Sequence, residues 1–288
     1  MSIIRITETP KAPPRPVDGH KGTFGRVLVI GGHPGMAGAV GLAGRAALRG
    51  GAGLVTIACP RSIQAVVAGY EASYTTKGLL EDEDGRIDGG ASLGLLDLAR
   101  SASAVAIGPG LGQSDGLRRL VVALYTQLPV PMVVDADALN LLATSPRPLW
   151  ERPGGPRVLT PHPGECARFL NVTAADINAD REGIAVALAT ERNVTVLLKG
   201  AGTVITDGHS LAINSTGNSG LATGGTGDVL TGLIAALLAA GLSAFEAARL
   251  GAYLHGLAGD LAADALSQAG LIASDLPDWI SRAWRLLG

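Results

Sequence analysis

Short apolar runs alternate with alanine-rich or amphipathic stretches through most of this chain. The runs are rich in Val, Ile and Leu, which is typical of strands buried on both faces of a parallel sheet. The predicted strands are Val27–Ile30, Leu54–Ala58, Ala104–Ile107, Met132–Val134, Val158–Leu159, Val194–Leu198 and Thr203–Ile205. The predicted helices between them are Ala37–Arg49, Asp115–Tyr125, Gly164–Leu170 and Arg181–Arg192. This alternation predicts an α/β fold in which helices cover both faces of a mainly parallel sheet.

The two ends of the chain follow different patterns. Residues 1–20 contain Pro10, Pro13, Pro14 and Pro16, which predict an extended arm outside the core. From Asp228 onward nearly all of the chain is helical in pattern. The predicted helices there are Val229–Ala240, Ala244–Ala265 and Leu276–Leu287. No low-complexity linker or internal repeat divides residues 21–288, so we predict one domain after the arm.

Composition narrows the class of protein. Hydrophobic residues make up 47% and charged residues 17%, and the mean hydropathy is +0.31. Such a chain needs neighbouring subunits or packed Ala/Gly-rich helices to cover its surface. The net charge of −2 provides no basic field for nucleic acid or for an anionic membrane. Any bound anion must therefore be held by local donors.

The cysteines and the termini indicate the compartment. Cys59 and Cys166 are the only cysteines and lack metal-ligand spacing, which predicts two buried free thiols in a reducing compartment. The N-terminus lacks a signal-peptide pattern, and no apolar run reaches membrane-spanning length without interruption by glycines or charges. We therefore expect a cytoplasmic protein that binds no membrane.

A long loop of Gly, Ser, Thr and Asn residues, Asn214–Asp228, immediately precedes an apolar helical run. A glycine loop that begins a helix leaves backbone N–H groups unpaired at the positive end of the helix dipole, which favours phosphate binding. Asp228 among these donors suits a base that takes a proton from a hydroxyl attacking phosphorus. The alternative is purely structural, because the dipole alone favours Asp in a first helical turn. The length of the loop favours a phosphoryl-transfer site.

Two further glycine segments follow predicted strands. Gly31–Gly38 has neither the dinucleotide-binding spacing nor a Walker A lysine, and an ordinary strand-to-helix turn explains it equally well. Gly108–Gly112 permits close approach of the backbone to a ligand. Since ligands of parallel sheets bind beyond the carboxyl ends of the strands, we expect these segments to meet at one edge.

Two polar motifs also follow strands. In Asp135–Asn140 the two carboxylates Asp135 and Asp137 suit Mg²⁺, water or substrate, although Asp137 could instead cap the next helix. In Thr160–Glu165 two prolines fix the backbone of His162, which favours a binding role at this strand end. Glu165 could bind Mg²⁺ or cap its own helix. Asp135 and Glu165 are thus candidate metal ligands, while the metal site itself stays undetermined.

The segment Lys199–Thr203 ends another predicted strand. Its lysine can neutralise phosphate while Gly200 and Gly202 let backbone amides approach. The alternative is a simple hairpin turn with a solvated lysine. The phosphate role requires Lys199 to lie near the Gly224–Asp228 loop.

Together these motifs resemble the ADP/ATP-dependent NAD(P)H-hydrate dehydratase family of the ribokinase-like superfamily. The matching segments are Gly35–Ala39, Ala47–Leu54, Gly108–Gly112, Asp135–Asn140, Thr160–Glu165, Lys199–Thr203 and Asn218–Asp228. The resemblance implies a ribokinase-like three-layer sandwich, with residues 21–288 as the catalytic domain. Family members are often fused to an epimerase domain, and because only residues 1–20 precede the matching region we expect the stand-alone form.

The resemblance also implies roles for individual residues. Asp228 matches the residue at the reacting hydroxyl. The positions that match those holding the hydrated nicotinamide nucleotide are Ala39, Gly110, Gly112, His162 and Asp228. The positions that match those holding the adenine nucleotide are Lys199, Gly200, Ala201, Gly202, Thr203 and Gly227, and the amides of Gly225 and Thr226 belong to the same phosphate-binding turn.

The implied substrates are NADHX or NADPHX, the hydrated forms of NADH and NADPH, together with ADP or ATP. Bacterial members generally prefer ADP and release AMP and phosphate. Members are typically Mg²⁺-dependent and often homotetramers, which suits the apolar composition. A kinase of a small hydroxylated vitamin precursor, such as a thiazole or pyrimidine alcohol, needs the same loop and Asp228. A module that binds adenine nucleotides without turnover is a further alternative, against which the density of acidic and basic residues argues.

Overall fold

The computed structural model describes residues 3–287. Residues 1–2 of the predicted arm and residue 288 of the predicted domain lie outside this range. The strands are β1 (Ile4–Arg5), β2 (Arg26–Ile30), β3 (Leu54–Pro60), β4 (Thr75–Leu79), β5 (Ala104–Ile107), β6 (Met132–Val134), β7 (Arg157–Leu159), β8 (Thr195–Leu198), β9 (Val204–Thr206) and β10 (Ser210–Ile213). The α-helices are α1 (Ala37–Arg49), α2 (Gln64–Tyr70), α3 (Ser92–Arg100), α4 (Asp115–Gln127), α5 (Ala136–Ala143), α6 (Pro163–Leu170), α7 (Ala174–Ala179), α8 (Arg181–Arg192), α9 (Thr226–Ala239), α10 (Ala244–Leu266) and α11 (Leu276–Leu287).

All ten strands belong to one sheet in the order β1-β10-β9-β8-β7-β6-β5-β2-β3-β4. The pairs from β4 to β8 are parallel, and β9 is antiparallel to both of its neighbours, β8 and β10. Because β8 and β10 are both antiparallel to β9, they run in the same direction as each other. Their carboxyl ends therefore lie at the same edge as those of the other parallel strands. The predicted mainly parallel sheet is confirmed.

Helices form a separate hydrophobic core on each face of the sheet. Along β2, Val27 and Val29 belong to one core and Leu28 and Ile30 to the other, as the period of two in a strand requires. The first core contains side chains of α1, α2, α9, α10 and α11, and the second contains side chains of α3 to α8. This three-layer arrangement confirms the predicted fold class.

The N-terminal arm contributes to the sheet. Ile4 and Arg5 pair in parallel with Ser210 and Leu211 of β10, and the Arg249 Nη2 donates to the Glu8 carbonyl at 3.0 Å. The division of the chain into an arm and one domain stays a prediction. No α-helix within residues 3–287 is both long and apolar enough to cross a bilayer.

Candidate active site

The turn that begins α9 presents unpaired backbone donors. Gly225, at the N-cap, has φ +95°, and no side chain caps the helix. The first-turn N–H groups are therefore open to an anion, as the glycine loop predicted. The Thr226 hydroxyl donates to the carbonyls of Leu221 at 3.0 Å and Thr223 at 3.1 Å, which fixes the turn on the preceding loop.

Asp228 lies in the first turn of α9 and is half-buried. Within residues 3–287 its carboxyl group makes no hydrogen bond or ion pair, so it does not cap its own helix. Burial raises its pKa to about 7, and the negative charge of Asp135 adds to this effect, while Lys199 opposes it and Asp137 contributes a smaller increase. A carboxylate with a raised pKa is a stronger base, and its proton affinity is matched to neutral pH.

Lys199 lies in the loop of the hairpin formed by β8 and β9. The alternative of a hairpin turn is thus correct for the backbone, but the lysine is not solvated, because only 21% of its side chain is exposed. Its Nζ lies 2.8 Å from Asp135 Oδ1 and 3.8 Å from Glu165 Oε2. Burial opposes its charge, but Asp135 and Glu165 outweigh this and raise the pKa of Lys199.

The hairpin loop is held by an arginine that the sequence did not indicate. Arg181, the first residue of α8, donates from Nη1 to the Ala201 carbonyl at 2.6 Å and from Nη2 to the Leu198 carbonyl at 3.0 Å. Gly200 and Gly202 have φ +146° and +63°, a region that disfavours residues with a side chain. The loop therefore has a fixed shape beside Lys199.

Asp135 is 1% exposed and accepts three hydrogen bonds. Its Oδ1 accepts from Thr160 Oγ1 and Lys199 Nζ, both at 2.8 Å, and its Oδ2 accepts from Thr231 Oγ1 at 2.7 Å. With both oxygens engaged by protein donors, Asp135 is better placed to organise the site than to bind a metal. Helix α5 begins at Ala136, so Asp137 lies in the first turn rather than at the cap.

Glu165 forms the cap of α6 together with His162. The backbone N–H of His162 donates to Glu165 Oε2 at 2.8 Å, and His162 Nδ1 accepts from the Gly164 N–H at 3.0 Å. This capping box confirms the structural alternative for Glu165. Since Nδ1 accepts, we assign the proton of the neutral ring to Nε2, and about half of the His162 side chain is exposed.

The other residues predicted to hold the nicotinamide nucleotide lie on an adjoining loop and at the start of α1. A Cβ on Gly110 would lie 3.1 Å from the Ala39 Cβ, so these two backbones are in close contact. The N–H of Gly112 donates to Asp137 Oδ2 at 2.8 Å. His33, which the sequence analysis did not select, contacts the Gly110 carbonyl through Nδ1 at 2.8 Å. The structure thus brings Ala39, Gly110 and Gly112 together, while His162 is joined to Lys199 through Glu165.

A cavity of about 490 Å³ lies beside this cluster. Its volume falls in the usual range for small-molecule sites. The predicted nucleotide-binding residues that line it are Lys199, Gly200, Ala201, Gly202, Thr203, Thr226 and Gly227. Gly225 is not a lining residue and lies at the helix cap beside it. Asp228 is not one of the lining residues either, but it is the next residue of the same turn, and it lies near enough to Lys199 for the two charges to interact.

Another part of the cavity wall consists of residues 214–219, which belong to the predicted glycine loop, together with Ala252, His255 and Gly256 of α10. The contribution of α10 was not predicted. His255 Nε2 donates to the Thr226 carbonyl at 2.9 Å, and burial lowers the pKa of His255 to about 4, so its ring is neutral. The small residues Ala252 and Gly256 near His255 indicate that another segment packs closely against this part of α10.

Comparison with known sequences identifies the family. The profile of the NAD(P)H-hydrate dehydratase family matches residues 27–282. A bifunctional NAD(P)H-hydrate repair enzyme of Moorella thermoacetica is 50% identical over 277 residues, which cover 96% of this chain and 52% of that protein. An ADP-dependent (S)-NAD(P)H-hydrate dehydratase of Neisseria meningitidis is 37% identical over 268 residues, which cover 91% and 86%. The chain thus spans about half the length of its bifunctional relatives.

Solved structures agree with this assignment. The ADP/ATP-dependent NAD(P)H-hydrate dehydratase of Bacillus subtilis, co-crystallised with ATP/Mg²⁺, superposes with a TM-score of 0.82 at 32% identity, covering 96% of this chain and 95% of that one. A ribokinase-like superfamily protein of Enterococcus faecalis gives a TM-score of 0.83 at 24% identity, covering 99% and 96%, which concerns the fold alone. On these grounds the chain belongs to the NAD(P)H-hydrate dehydratase family.

Proposed function

We propose that this chain is an ADP-dependent (S)-NAD(P)H-hydrate dehydratase, a hydro-lyase that restores NAD(P)H from its 6-hydroxy hydrate. Family membership and the activity named for the Neisseria relative support this proposal. The observation that carries it is the position of Asp228 in the same helical turn as Thr226 and Gly227, which line a cavity together with Lys199; burial raises the pKa of its carboxyl group to about 7. A nucleotide phosphate and a base are both needed to convert a hydroxyl into a leaving group.

Asp228 acts first in the proposed reaction. It takes the proton of the substrate hydroxyl as that oxygen attacks the terminal phosphorus of ADP, and the bond to AMP breaks. The lone pair of the ring nitrogen then expels phosphate by breaking the C6–O bond. Loss of a proton from C5 restores the dihydropyridine ring. The products are NAD(P)H, AMP and phosphate, and hydroxide never has to leave as such.

The adenine nucleotide occupies the cavity in this proposal. Its phosphates lie at the open N–H groups of the Gly225–Gly227 turn, where the helix dipole favours negative charge. Lys199 compensates charge on the transferring phosphoryl group, and the backbone of residues 200–203 forms the wall beside it. The names of the relatives support ADP and ATP as co-substrates.

The hydrated nicotinamide nucleotide binds at the adjoining loops and at the start of α1. Ala39, Gly110 and Gly112 are assigned to it from the family resemblance, and they lie together because Gly110 packs directly on Met36 and Ala39. His162 presents a half-exposed ring at the side of the site, with Nδ1 used by the helix cap and Nε2 3.5 Å from Glu165 Oε1. The substrate class comprises both NADHX and NADPHX.

The described residues do not form a magnesium site of their own. Within residues 3–287 no group of three or more His, Cys, Asp or Glu side chains is arranged to hold a metal ion. Asp135 is saturated by protein donors, and Glu165 caps α6. We therefore propose that Mg²⁺ enters with the nucleotide phosphates, and no step above depends on it.

The proposed assembly is a homotetramer in the cytoplasm. The support is compositional: the mean hydropathy of +0.31 leaves apolar surface that subunits can cover. Cys59 and Cys166 are free and buried, which suits a reducing compartment.

The test is recovery of NADH absorbance from purified NADH hydrate. We expect recovery with ADP and Mg²⁺, release of one AMP for each NADH formed, and no recovery without nucleotide. ATP in place of ADP measures the nucleotide preference in the same assay. A stable phosphorylated thiazole or pyrimidine alcohol, formed while NADH hydrate stays unchanged, would replace this proposal with a kinase of the same fold.

A further inference from the structure

Asp135 connects the three elements that form the reacting part of the site. Its partners are Thr160 at the end of β7, Lys199 at the end of β8 and Thr231 on α9. Thr231 lies three residues after Asp228 on the same helix, so Asp135 is anchored to the helix that carries the base. The family comparison assigns no role to Asp135, and the proposed chemistry does not use it.

The ammonium group of Lys199 forms ion pairs with Asp135 and Glu165 and not with Asp228. It lies 2.8 Å from Asp135 and 3.8 Å from Glu165. Among residues 3–287, no basic side chain forms an ion pair with Asp228. An ammonium in direct contact with Asp228 would stabilise its anion and weaken it as a base.

The charges around Asp228 come from several elements. Asp135 and Asp137 at the start of α5 are negative, and Lys199 after β8 is positive. Glu165 of α6 shares Lys199 with Asp135. On α10, which packs against α9, His255 is neutral because burial lowers its pKa to about 4. The negative neighbours of Asp228 therefore outnumber the positive ones, and this arrangement disfavours a further negative charge on Asp228.

We propose that Asp135 is a positioning residue that holds the Lys199 ammonium out of contact with Asp228 and so keeps Asp228 an effective base at neutral pH. This inference rests on the proposed role of Asp228. Two contributions combine: the negative charge of Asp135 itself, and its retention of Lys199, the cation among residues 3–287 that acts on Asp228. Thr160 donates to the same Asp135 oxygen that contacts Lys199, so this side of the carboxylate stays oriented without Thr231.

The titration of Asp228 tests this directly and needs no turnover. Protein labelled with ¹³C at the aspartate carboxyl carbon is titrated by NMR, and the Asp228→Asn variant assigns the signal. In the unmodified protein we expect a midpoint near 7. In Asp135→Asn the midpoint falls by at least about one pH unit, because a negative neighbour is lost and Lys199 is released. An unchanged midpoint in Asp135→Asn overturns the proposal.

Thr231→Val is the matched control. It removes one buried hydrogen bond to Asp135 but leaves its charge, so the midpoint of Asp228 stays within about half a pH unit. A shift as large as that of Asp135→Asn would mean that packing, not charge, sets the midpoint, and would overturn the proposal. If Asp135→Asn does not fold, the titration of Asp228 in the unmodified protein decides the matter. A midpoint of Asp228 below about pH 5 there overturns the proposal without any variant. The expected titration without any NADH recovery supports the role of Asp135 while contradicting the proposed reaction.

Discussion

At the scale of single residues, the site holds an acid whose charge the protein stabilises poorly. Asp228 is half-buried and has two negative neighbours, Asp135 and Asp137. Placing a group where its charged form is disfavoured lowers stability in exchange for reactivity, and such groups concentrate at active sites. The loss of stability should therefore appear as a dependence of the unfolding midpoint on pH.

Asp228→Asn is expected to stabilise the protein more at pH 8 than at pH 5. The pKa of Asp228 is raised on folding from the usual 3.8 to about 7, so the folded protein binds the extra proton between these values. Its stabilising contribution is complete below pH 4 and is lost as the pH rises through 7. Asn does not ionise, so the difference in thermal unfolding midpoint between variant and parent should grow over this interval.

The control for this prediction is Asp97→Asn. Asp97 is on α3 and 78% of its side chain is exposed, so its charge stays solvated in both states. Its effect on the unfolding midpoint should be the same at pH 5 and pH 8. An equally constant effect of Asp228→Asn would contradict the poor stabilisation of this carboxylate.

Residue chemistry was predictable where it is local in sequence. The glycine loop and the position of Asp228 in the first turn of the following helix are both visible within a few residues. The contacts of Asp135 were not predictable, because its partners Thr160, Lys199 and Thr231 are 25, 64 and 96 residues away in sequence. The motif Asp135–Asn140 therefore suggested a metal ligand as readily as a scaffold.

At the scale of elements, the buried strands and longest helices match the predicted bounds closely. Ala37–Arg49, Ala104–Ile107, Met132–Val134 and Arg181–Arg192 are identical in prediction and structure. Strand β4 was missed because it lies at the edge of the sheet and three of its five residues are polar. Helix α5 was missed because it starts directly after β6, with Ala136 at φ +48° in place of a loop. An edge strand and an abrupt strand-to-helix junction produce no regular spacing of hydrophobic residues from which they could be predicted.

Close packing of α10 on the loop 214–219 is expected to shape the nucleotide site. A Cβ at Gly256 would lie 2.2 Å from Thr216 Oγ1 and 2.6 Å from its carbonyl carbon. Gly256→Ala must therefore displace this wall of the cavity, and we expect the affinity for ADP, measured by calorimetry, to fall about tenfold or more, roughly 1.4 kcal/mol. The hydrogen bond from Thr216 to the Tyr253 carbonyl, now 2.9 Å, is lost with it.

Gly251→Ala on the same helix is the matched control. Its Cβ would meet the Ile234 side chain at 2.6 Å inside the core, and Gly251 is not one of the residues that line the cavity. We expect a loss of stability with ADP affinity within about twofold of the parent, because the displaced side chain belongs to the core and not to the loop 214–219. Equal losses of affinity in both variants would mean that general destabilisation, not the loop, is responsible.

At the scale of the whole molecule, one edge of the sheet collects the predicted motifs that follow strands. The loops after β2, β5, β6, β7, β8 and β10 all begin there, and direct contacts join them, such as the Lys199 N–H to the Pro161 carbonyl at 2.9 Å. A parallel sheet predicts this convergence. The order of the strands was not predictable, because apolar runs show that a strand is buried but not which strand lies beside it. The net charge of −2 leaves anion binding to this local set of donors.

The most direct test of the central claim compares the unmodified protein with Asp228→Asn in the NADH-hydrate assay, with ADP affinity measured in parallel. We predict that turnover falls about a thousandfold or more, the loss expected when a general base is removed, while ADP affinity stays within about tenfold. Unchanged turnover in Asp228→Asn would contradict the claim that this carboxyl group takes the proton of the reacting hydroxyl.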